Sequence, residues 1–122
     1  MSIRLHEELV ARAKHFLKVS GFDVSEGRYD IALFHLDQAA QLVVKAYLFK
    51  IFGDFPRVHS LRDLIEVSDS ICLKRLADEF WYVIDILEDA YLGARYFVRR
   101  YGEREYSEAR KFVEEVFRCL GI

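Results

Sequence analysis

Residues 27–49 read GRYDIALFHLDQAAQLVVKAYLF, and this stretch decides the fold class. Its apolar residues lie nearly all round a helical wheel rather than at the alternating positions of a half-buried strand. The polar residues that remain form a narrow stripe: Asp30, Asp37, Gln38, Gln41 and Lys45. A helix with so little polar surface lies at the centre of a bundle or also buries a dimer surface. We expect this helix to follow a Ser25 cap and to run to Phe52, where Gly53 ends it.

The segments on either side also have helical periodicity, and one proline and six glycines leave little room for the turns of a sheet. The other predicted helices run from Ser2 to Ser20 before Gly21, from a Ser60 cap to Val67, from Ile71 to Arg100, and from a Ser107 cap to Gly121. Short loops join them, so we predict an all-α fold, an up-and-down antiparallel helical bundle of four main helices plus one short helix. No repeat or linker divides the sequence, which predicts a single domain over residues 1–122.

The charge and cysteine content exclude several classes of protein. A net charge of −2 gives no general attraction to polyanions, so any contact with nucleic acid must come from a local cluster. No apolar run approaches the roughly 18 residues of a membrane span, so we expect no membrane association. Cys72 and Cys119 have no zinc-ligand or CxxC spacing, and no secretory signal is evident at the start. We therefore expect reduced thiols and a cytoplasmic protein.

The glycines and histidines do not form the common cofactor or metal motifs. The glycines build neither GxGxxG nor a P-loop, and the four histidines lack metal-ligand spacing. We therefore predict no metal site and no cofactor. His59, just before the Ser60 cap, is interpreted as a loop histidine bonded to backbone rather than as a general base. His35 borders the polar stripe, and we interpret it as structural too.

Three carboxylates share one face of the predicted helix 71–100. Asp85, Glu88 and Asp89 are spaced at i, i+3 and i+4. Such a group either supplies an acid and base pair or forms a solvated face, and we favour the solvated face.

A cluster of cations ends the same predicted helix, in the stretch RYFVRRYGERE at 95–105. Its arginines and interleaved tyrosines are the candidate nucleotide- or RNA-binding residues: Arg95, Tyr96, Arg99, Arg100, Tyr101 and Arg104. Arginine offers a rigid fork to phosphate and tyrosine offers a stacking face to a base. The alternative is that these cations complement the dipole at a helix C-terminus, each stabilising by about 0.3 to 1 kcal/mol. The composition favours neither interpretation over the other.

Four blocks of this sequence resemble the HEPN (higher eukaryotes and prokaryotes nucleotide-binding) family in order and spacing. They are the opening stretch, FPRVHSLRDL at 55–64, AYLGARYF at 90–97 and YSEARKFVEEV at 106–116. The individual matches are Tyr29, Asp30, Ala32, Gln38, Ala39, Ala40, Lys45, Ala46, Pro56, His59, Ser60, Leu61, Ala94, Arg95 and Tyr96. The resemblance implies an all-α bundle, usually a homodimer, with nucleotide-linked or RNA-cleaving roles. Many members are similar to the partner of a minimal nucleotidyltransferase in a toxin–antitoxin pair.

The resemblance also implies a departure at the catalytic position. Ribonuclease members of the family use an arginine and a histidine separated by four to six residues. Arg95 matches the arginine, but the permitted histidine positions hold Arg100, Tyr101 and Gly102. Side chains with pKa values near 10 and above 12 are poor general bases or acids at neutral pH.

We therefore predict a nucleotide- or RNA-binding partner of a nucleotidyltransferase rather than a stand-alone enzyme. One alternative is a divergent metal-independent endoribonuclease that uses Arg95 with Tyr101 as its candidate catalytic residues. Another is a non-catalytic protein-interaction module. With a nucleotidyltransferase as partner, Tyr96 and Tyr101 become candidates for modification.

Overall fold

The computed structural model describes residues 2–96 and 100–122, which form six helices and no strand. The helices are α1 Ser2–Ser25, α2 Tyr29–Phe52, α3 Leu61–Ser68, α4 Ile71–Glu79, α5 Trp81–Tyr96 and α6 Glu103–Cys119. The predicted all-α bundle is confirmed, with one helix more than expected. No helix in the described ranges is long and apolar enough to cross a membrane.

Helix α2 lies at the centre of the bundle, as its sequence predicts. It packs against α1, α3, α5 and α6. Its buried apolar residues are Ala32, Leu33, Leu36, Ala39, Ala40, Val43, Val44, Ala46 and Leu48. Gly53 ends the helix with φ 81°, a left-handed conformation that glycine adopts at no steric cost. The predicted end of this helix is confirmed.

Helix α1 is longer than predicted, because it continues through Gly21 to Ser25. Glycine inside a helix costs only about 1 kcal/mol relative to alanine, which packing of the flanking residues offsets. The Ser25 hydroxyl donates back to the carbonyl of Phe22 at 2.6 Å, so Ser25 does not cap α2. The chain turns instead at Gly27, whose φ is 73°, and the predicted stop at Gly21 is wrong.

The long helix predicted over 71–100 is two helices. The break falls at Phe80, with φ −110° and ψ 31°, and its ring packs at 5.5 Å from that of Phe112 in the core. Because Phe80 is itself an inward-facing position, the apolar periodicity runs through the break without revealing it. Arg100 is not helical, so the predicted end of that helix is wrong as well.

The two short-range caps behave differently. Ser60 caps α3 as predicted, since its hydroxyl accepts a hydrogen bond from the Asp63 amide at 3.2 Å. Helix α6 begins at Glu103 rather than after Ser107. The Gly102 amide donates to the Glu105 carboxylate at 2.6 Å, and this bond fixes the earlier start.

Cys72 and Cys119 form a disulfide that joins the start of α4 to the end of α6. The Cα atoms are 5.7 Å apart and the two residues are separated by 47 positions. The expectation of reduced thiols is therefore wrong. Sequence spacing does not reveal the pair because the fold, not a local motif, brings the two helix ends together. The bond ties down α4, in which Leu73 is the buried residue.

Candidate functional site

Polar side chains on α2 lie inside the bundle rather than in solvent. Asp37, Gln41 and Lys45 follow one another at one-turn spacing and are 0%, 2% and 9% exposed. They belong to the narrow polar stripe of the sequence. They are buried because other helices cover α2 on several sides.

Asp37 is the deepest group of this row. Its Oδ2 accepts a hydrogen bond from Gln41 Nε2 at 2.7 Å, and the same amide donates to the carbonyl of His59 at 2.9 Å. Its Oδ1 is buried and accepts no hydrogen bond from the described residues. The pKa of Asp37 is raised to about 8, chiefly by burial; the charge of Glu88 adds to this rise, and the Gln41 hydrogen bond and the charge of Lys45 oppose it. At neutral pH the carboxyl is mainly protonated.

Lys45 lies at the other end of the row, beside the connection from α2 to α3. Burial lowers the pKa of its ammonium group, the charge of Arg57 adds to this effect, and Asp37 opposes it. The ammonium lies 5.9 Å from the centroid of the Phe55 ring, and the Arg57 guanidinium lies 4.4 Å from it. Lys45 and Arg57 therefore both make cation–π contacts with the Phe55 ring.

A surface cleft of about 430 Å³ opens between the α2–α3 connection and α5. Residues 58–60 form one wall, and Glu88, Asp89, Tyr91 and Leu92 form the other. The His59 ring stacks on Tyr91 with centroids 5.4 Å apart and planes at 19°, and Tyr91 stacks in turn on Phe34 at 6.0 Å. His59 is exposed, so the stack ends at the surface.

The hydrogen bond seen at His59 is accepted by its own carbonyl from Gln41, whereas the ring, which we expected to bond to backbone, stacks on Tyr91. Sequence patterns do not predict this stack, because it depends on the packing of α5 against the connection.

The acidic face of α5 divides into exposed and half-buried parts. Arg62 Nη2 contacts Asp85 Oδ1 at 2.6 Å, and Arg62 Nε lies 3.6 Å from Glu88 Oε1. Asp85 and Asp89 are exposed, as a solvated face predicts. Glu88 is not: burial raises the pKa of its carboxyl, Arg62 opposes the rise, and Asp85 and Asp63 add to it.

Sequence reasoning also missed a polar pair between α1 and α2. His35 Nδ1 lies 2.5 Å from Asp23 Oδ2, and the His35 ring packs against Phe16 at 5.6 Å. The sequence pattern predicts a loop at Asp23. Because α1 extends to Ser25, Asp23 lies instead on that helix, beside His35 of α2. Within residues 2–96 and 100–122, no cluster of His, Cys, Asp or Glu could hold a metal ion.

The arginine stretch lies where α5 ends and α6 begins. Arg95 and Tyr96 occupy the last turn of α5; their side chains, and Arg99 as a whole, lie outside the described residues. Arg100 is exposed and precedes α6. Arg104 belongs to the first turn of α6, where its Nε lies 3.9 Å from Glu108 Oε1. Residues 100–102 are not helical, so Arg100 and Arg104 do not lie on one continuous helix.

A family model described as HEPN domain matches residues 6–122, nearly the whole chain. The chain belongs to the HEPN family. Among curated proteins, none matches it. Membership links the chain to nucleotide- or RNA-related function, and it confirms the resemblance carried by the four sequence blocks.

Arg95, which the sequence resemblance matched to the arginine of the family's ribonucleases, has no histidine at the spacing that those ribonucleases use. Arg95 stands in the last turn of α5, and the three positions open to the histidine hold Arg100, Tyr101 and Gly102. Tyr101 is half-buried and packs against the hydrophobic core. Core packing restrains the side chain that the endoribonuclease alternative needs to act on a substrate.

Proposed function

We propose that this HEPN protein binds a nucleotide or single-stranded RNA as a homodimer and acts as the partner of a minimal nucleotidyltransferase in a toxin–antitoxin-like pair. On this proposal the chain does not cleave RNA by itself. The observation that carries the proposal is the place of Arg95 in the fold. It stands one helical turn beyond Tyr91 and two turns beyond Glu88, at the end of the helix that walls the cleft.

The cleft and the arginine offer complementary chemistry. A volume of about 430 Å³ is within the usual range of roughly 300 to 1,000 Å³ for small-molecule sites. Aromatic rings in its wall suit a base, and arginine suits a phosphate. Because the net charge is −2, only such a local arrangement gives affinity for a polyanion.

Exposed apolar side chains support association with a second protein chain. Trp81, Tyr82 and Leu92 are 59%, 37% and 56% exposed along α5, and Ile51 and Phe52 are 54% and 60% exposed at the end of α2. Large apolar groups at a protein surface mark interaction sites when they are contiguous. A homodimer would bring two copies of the α5 end into one assembly, with two arginine stretches available to one ligand.

Binding is tested by fluorescence anisotropy of a labelled single-stranded RNA over a series of salt concentrations. We expect affinity to fall with salt, and we expect Arg95→Ala to reduce the slope by roughly 0.7 for each phosphate that the arginine would neutralise. The exposed Arg4 of α1 supplies the matched control, since Arg4→Ala removes the same charge far from the cleft along the chain. If no binding occurs at low salt, the arginines only complete a helix end and the protein is an interaction module.

The partner is tested by reading the neighbouring genes for a small nucleotidyltransferase and co-expressing that enzyme with this chain. We expect the two chains to co-purify, and mass spectrometry of the complex then shows whether Tyr96 or Tyr101 has gained a nucleotidyl group. Independent elution of the two chains contradicts the partnership.

A further inference from the structure

We infer that the Cys72–Cys119 disulfide is a reversible thiolation site, at which a small thiol with carboxylate and ammonium groups, of the glutathione type, exchanges onto Cys72 and releases α4 from α6. The inference does not depend on nucleotide binding, because the groove at this disulfide shares no lining residue with the cleft at His59.

The first support is the position of the disulfide at the surface. Cys72 lies in the first turn of α4 and is exposed, while Cys119 is the last residue of α6 and is half-buried. A dissolved thiol opens a disulfide by direct attack on one of its sulfurs, so exchange requires access. Cys72 is the more accessible of the two, and we expect the incoming thiol to bond there.

The second support is a groove beside the bond. It has a volume of about 450 Å³, and residues of both α4 and α6 line it together with the two cysteines. The other lining residues are Ile71, Arg75, Leu76, Glu79, Glu115 and Arg118. Small-molecule sites have volumes of roughly 300 to 1,000 Å³, so the groove has room for a thiol of tripeptide size.

The charges of the groove favour a thiol that carries both a carboxylate and an ammonium group. Arg118 is ion-paired with Glu115, so these two charges offset each other. Arg75 and Glu79 are exposed, and neither forms an ion pair within residues 2–96 and 100–122. They follow Cys72 by three and seven residues, so they lie on the same face of α4 as the exposed sulfur. Glutathione has carboxylates for Arg75 and an ammonium group for Glu79.

The exchange is balanced and reversible. The thiolate of the incoming thiol attacks Cys72 Sγ, a mixed disulfide forms as the Cys72–Cys119 bond breaks, and Cys119 leaves as a thiolate that takes a proton from water. A second thiol then attacks the sulfur of the bound ligand, which gives the oxidised thiol dimer and a Cys72 thiolate. The two thiols thereby lose the two electrons that reduce the protein disulfide. The N-terminus of α4 and the nearby Arg75 favour a thiolate at Cys72, which makes it a good leaving group in this second step.

Opening the bond should act first on α4. Leu73 is the fully buried residue of this helix, and Leu76 and Ala77 pack only partly against the core. Helices α2 and α6 have many buried apolar residues and keep their places without the disulfide. With Cys72 no longer bonded to Cys119, we expect α4 to open locally while the other helices stay folded.

The test is a measurement of exchange rates on the intact oxidised protein with glutathione and with the uncharged thiol 2-mercaptoethanol. Acid quenching followed by mass spectrometry of peptides should find one glutathione on Cys72 and a free thiol at Cys119. Both reagents attack as thiolates, but only glutathione adds carboxylates. We therefore expect Arg75→Gln to lower the glutathione rate about threefold more than the 2-mercaptoethanol rate, which is the scale of one exposed ion pair. Arg4→Gln, an exposed change on α1, is the matched control and should change neither rate.

Hydrogen exchange of the glutathione-treated protein tests the consequence for the fold. We expect amide protection to fall over residues 71–79 and to persist in α2 and α6. Loss of protection in all helices together would overturn the release of α4.

Three results of the rate measurement would also overturn the inference. One is a disulfide that no thiol opens unless the protein is first unfolded in urea. Another is a glutathione adduct on Cys119 alone. The third is an Arg75→Gln variant in which the two thiols slow by the same factor, since the groove would then make no contact with the carboxylates of glutathione.

Discussion

Replacing the buried Asp37 by asparagine should stabilise this protein at neutral pH. The folded carboxyl is 0% exposed and has a pKa of about 8, raised from 3.8 chiefly by burial. Folding at pH 7 therefore requires a carboxylate that is ionised in the unfolded chain to take up a proton. Asparagine keeps the oxygen that accepts from Gln41, is neutral at every pH, and removes this requirement.

The magnitude follows from proton linkage. A folded-state pKa above the unfolded value means that the folded chain binds the additional proton between pH 3.8 and about 8. Stability of the wild-type chain should therefore fall as pH rises through this window, by about 1.4 kcal/mol per pH unit. At pH 7 the accumulated cost is on the order of 4 kcal/mol, and this is the upper limit of the gain from Asp37→Asn.

The assay is urea unfolding followed by circular dichroism from pH 4 to pH 8.5. The free energies of unfolding of wild type and Asp37→Asn should coincide near pH 4 and diverge as pH rises. Asp30→Asn, in the first turn of the same helix, is the matched control, and it should not reproduce the divergence from wild type expected of Asp37→Asn. A variant that is less stable than wild type at pH 7 would refute the reasoning, because Asp37 would then be ionised and paired.

The remaining predictions concern the disulfide, the core and the assembly. Reducing the Cys72–Cys119 bond, or replacing both cysteines by serine, should lower the free energy of unfolding by about 4 kcal/mol for a closed loop of 47 residues. Urea unfolding with and without dithiothreitol measures this, and two titratable thiols in the untreated protein would contradict it. Leu48→Ala, at 0% exposure, should cost roughly 2 to 5 kcal/mol, while Ile51→Ala, three residues on and 54% exposed, should cost far less. Equal losses of unfolding free energy at the two positions would contradict the placement of α2 in the core. Light scattering at micromolar concentration should give about twice the chain mass of 14.4 kDa, and a value near 14.4 kDa removes the homodimer.

Features that depend on local chemistry could be predicted from the sequence. The end of α2 at Gly53 and the Ser60 cap of α3 follow from glycine conformation and side-chain capping, which act within a few residues. The family also followed from local blocks, since a HEPN model matches residues 6–122.

Features that depend on tertiary packing could not be predicted. The break at Phe80 falls on a core residue, so the helical pattern continues across it. The Asp37, Gln41 and Lys45 row is polar in sequence, yet the helices packed around α2 bury it. The cleft could not be predicted for the same reason. Glu88 belonged to a predicted solvated face. Its Oε1 is buried because α5 packs beside the α2–α3 connection that carries His59.

The central claim is that this HEPN chain binds RNA without cleaving it, because no histidine stands at the permitted distance from Arg95. The most direct measurement is the fraction of an end-labelled single-stranded RNA that is cut while it is saturated with protein, for wild type beside Tyr101→His. We expect wild type to bind the RNA and to cut it no faster than a buffer control, and we expect Tyr101→His to cleave it. Cleavage by wild type that disappears in both Arg95→Ala and Tyr101→Phe would contradict binding without cleavage and establish the endoribonuclease alternative.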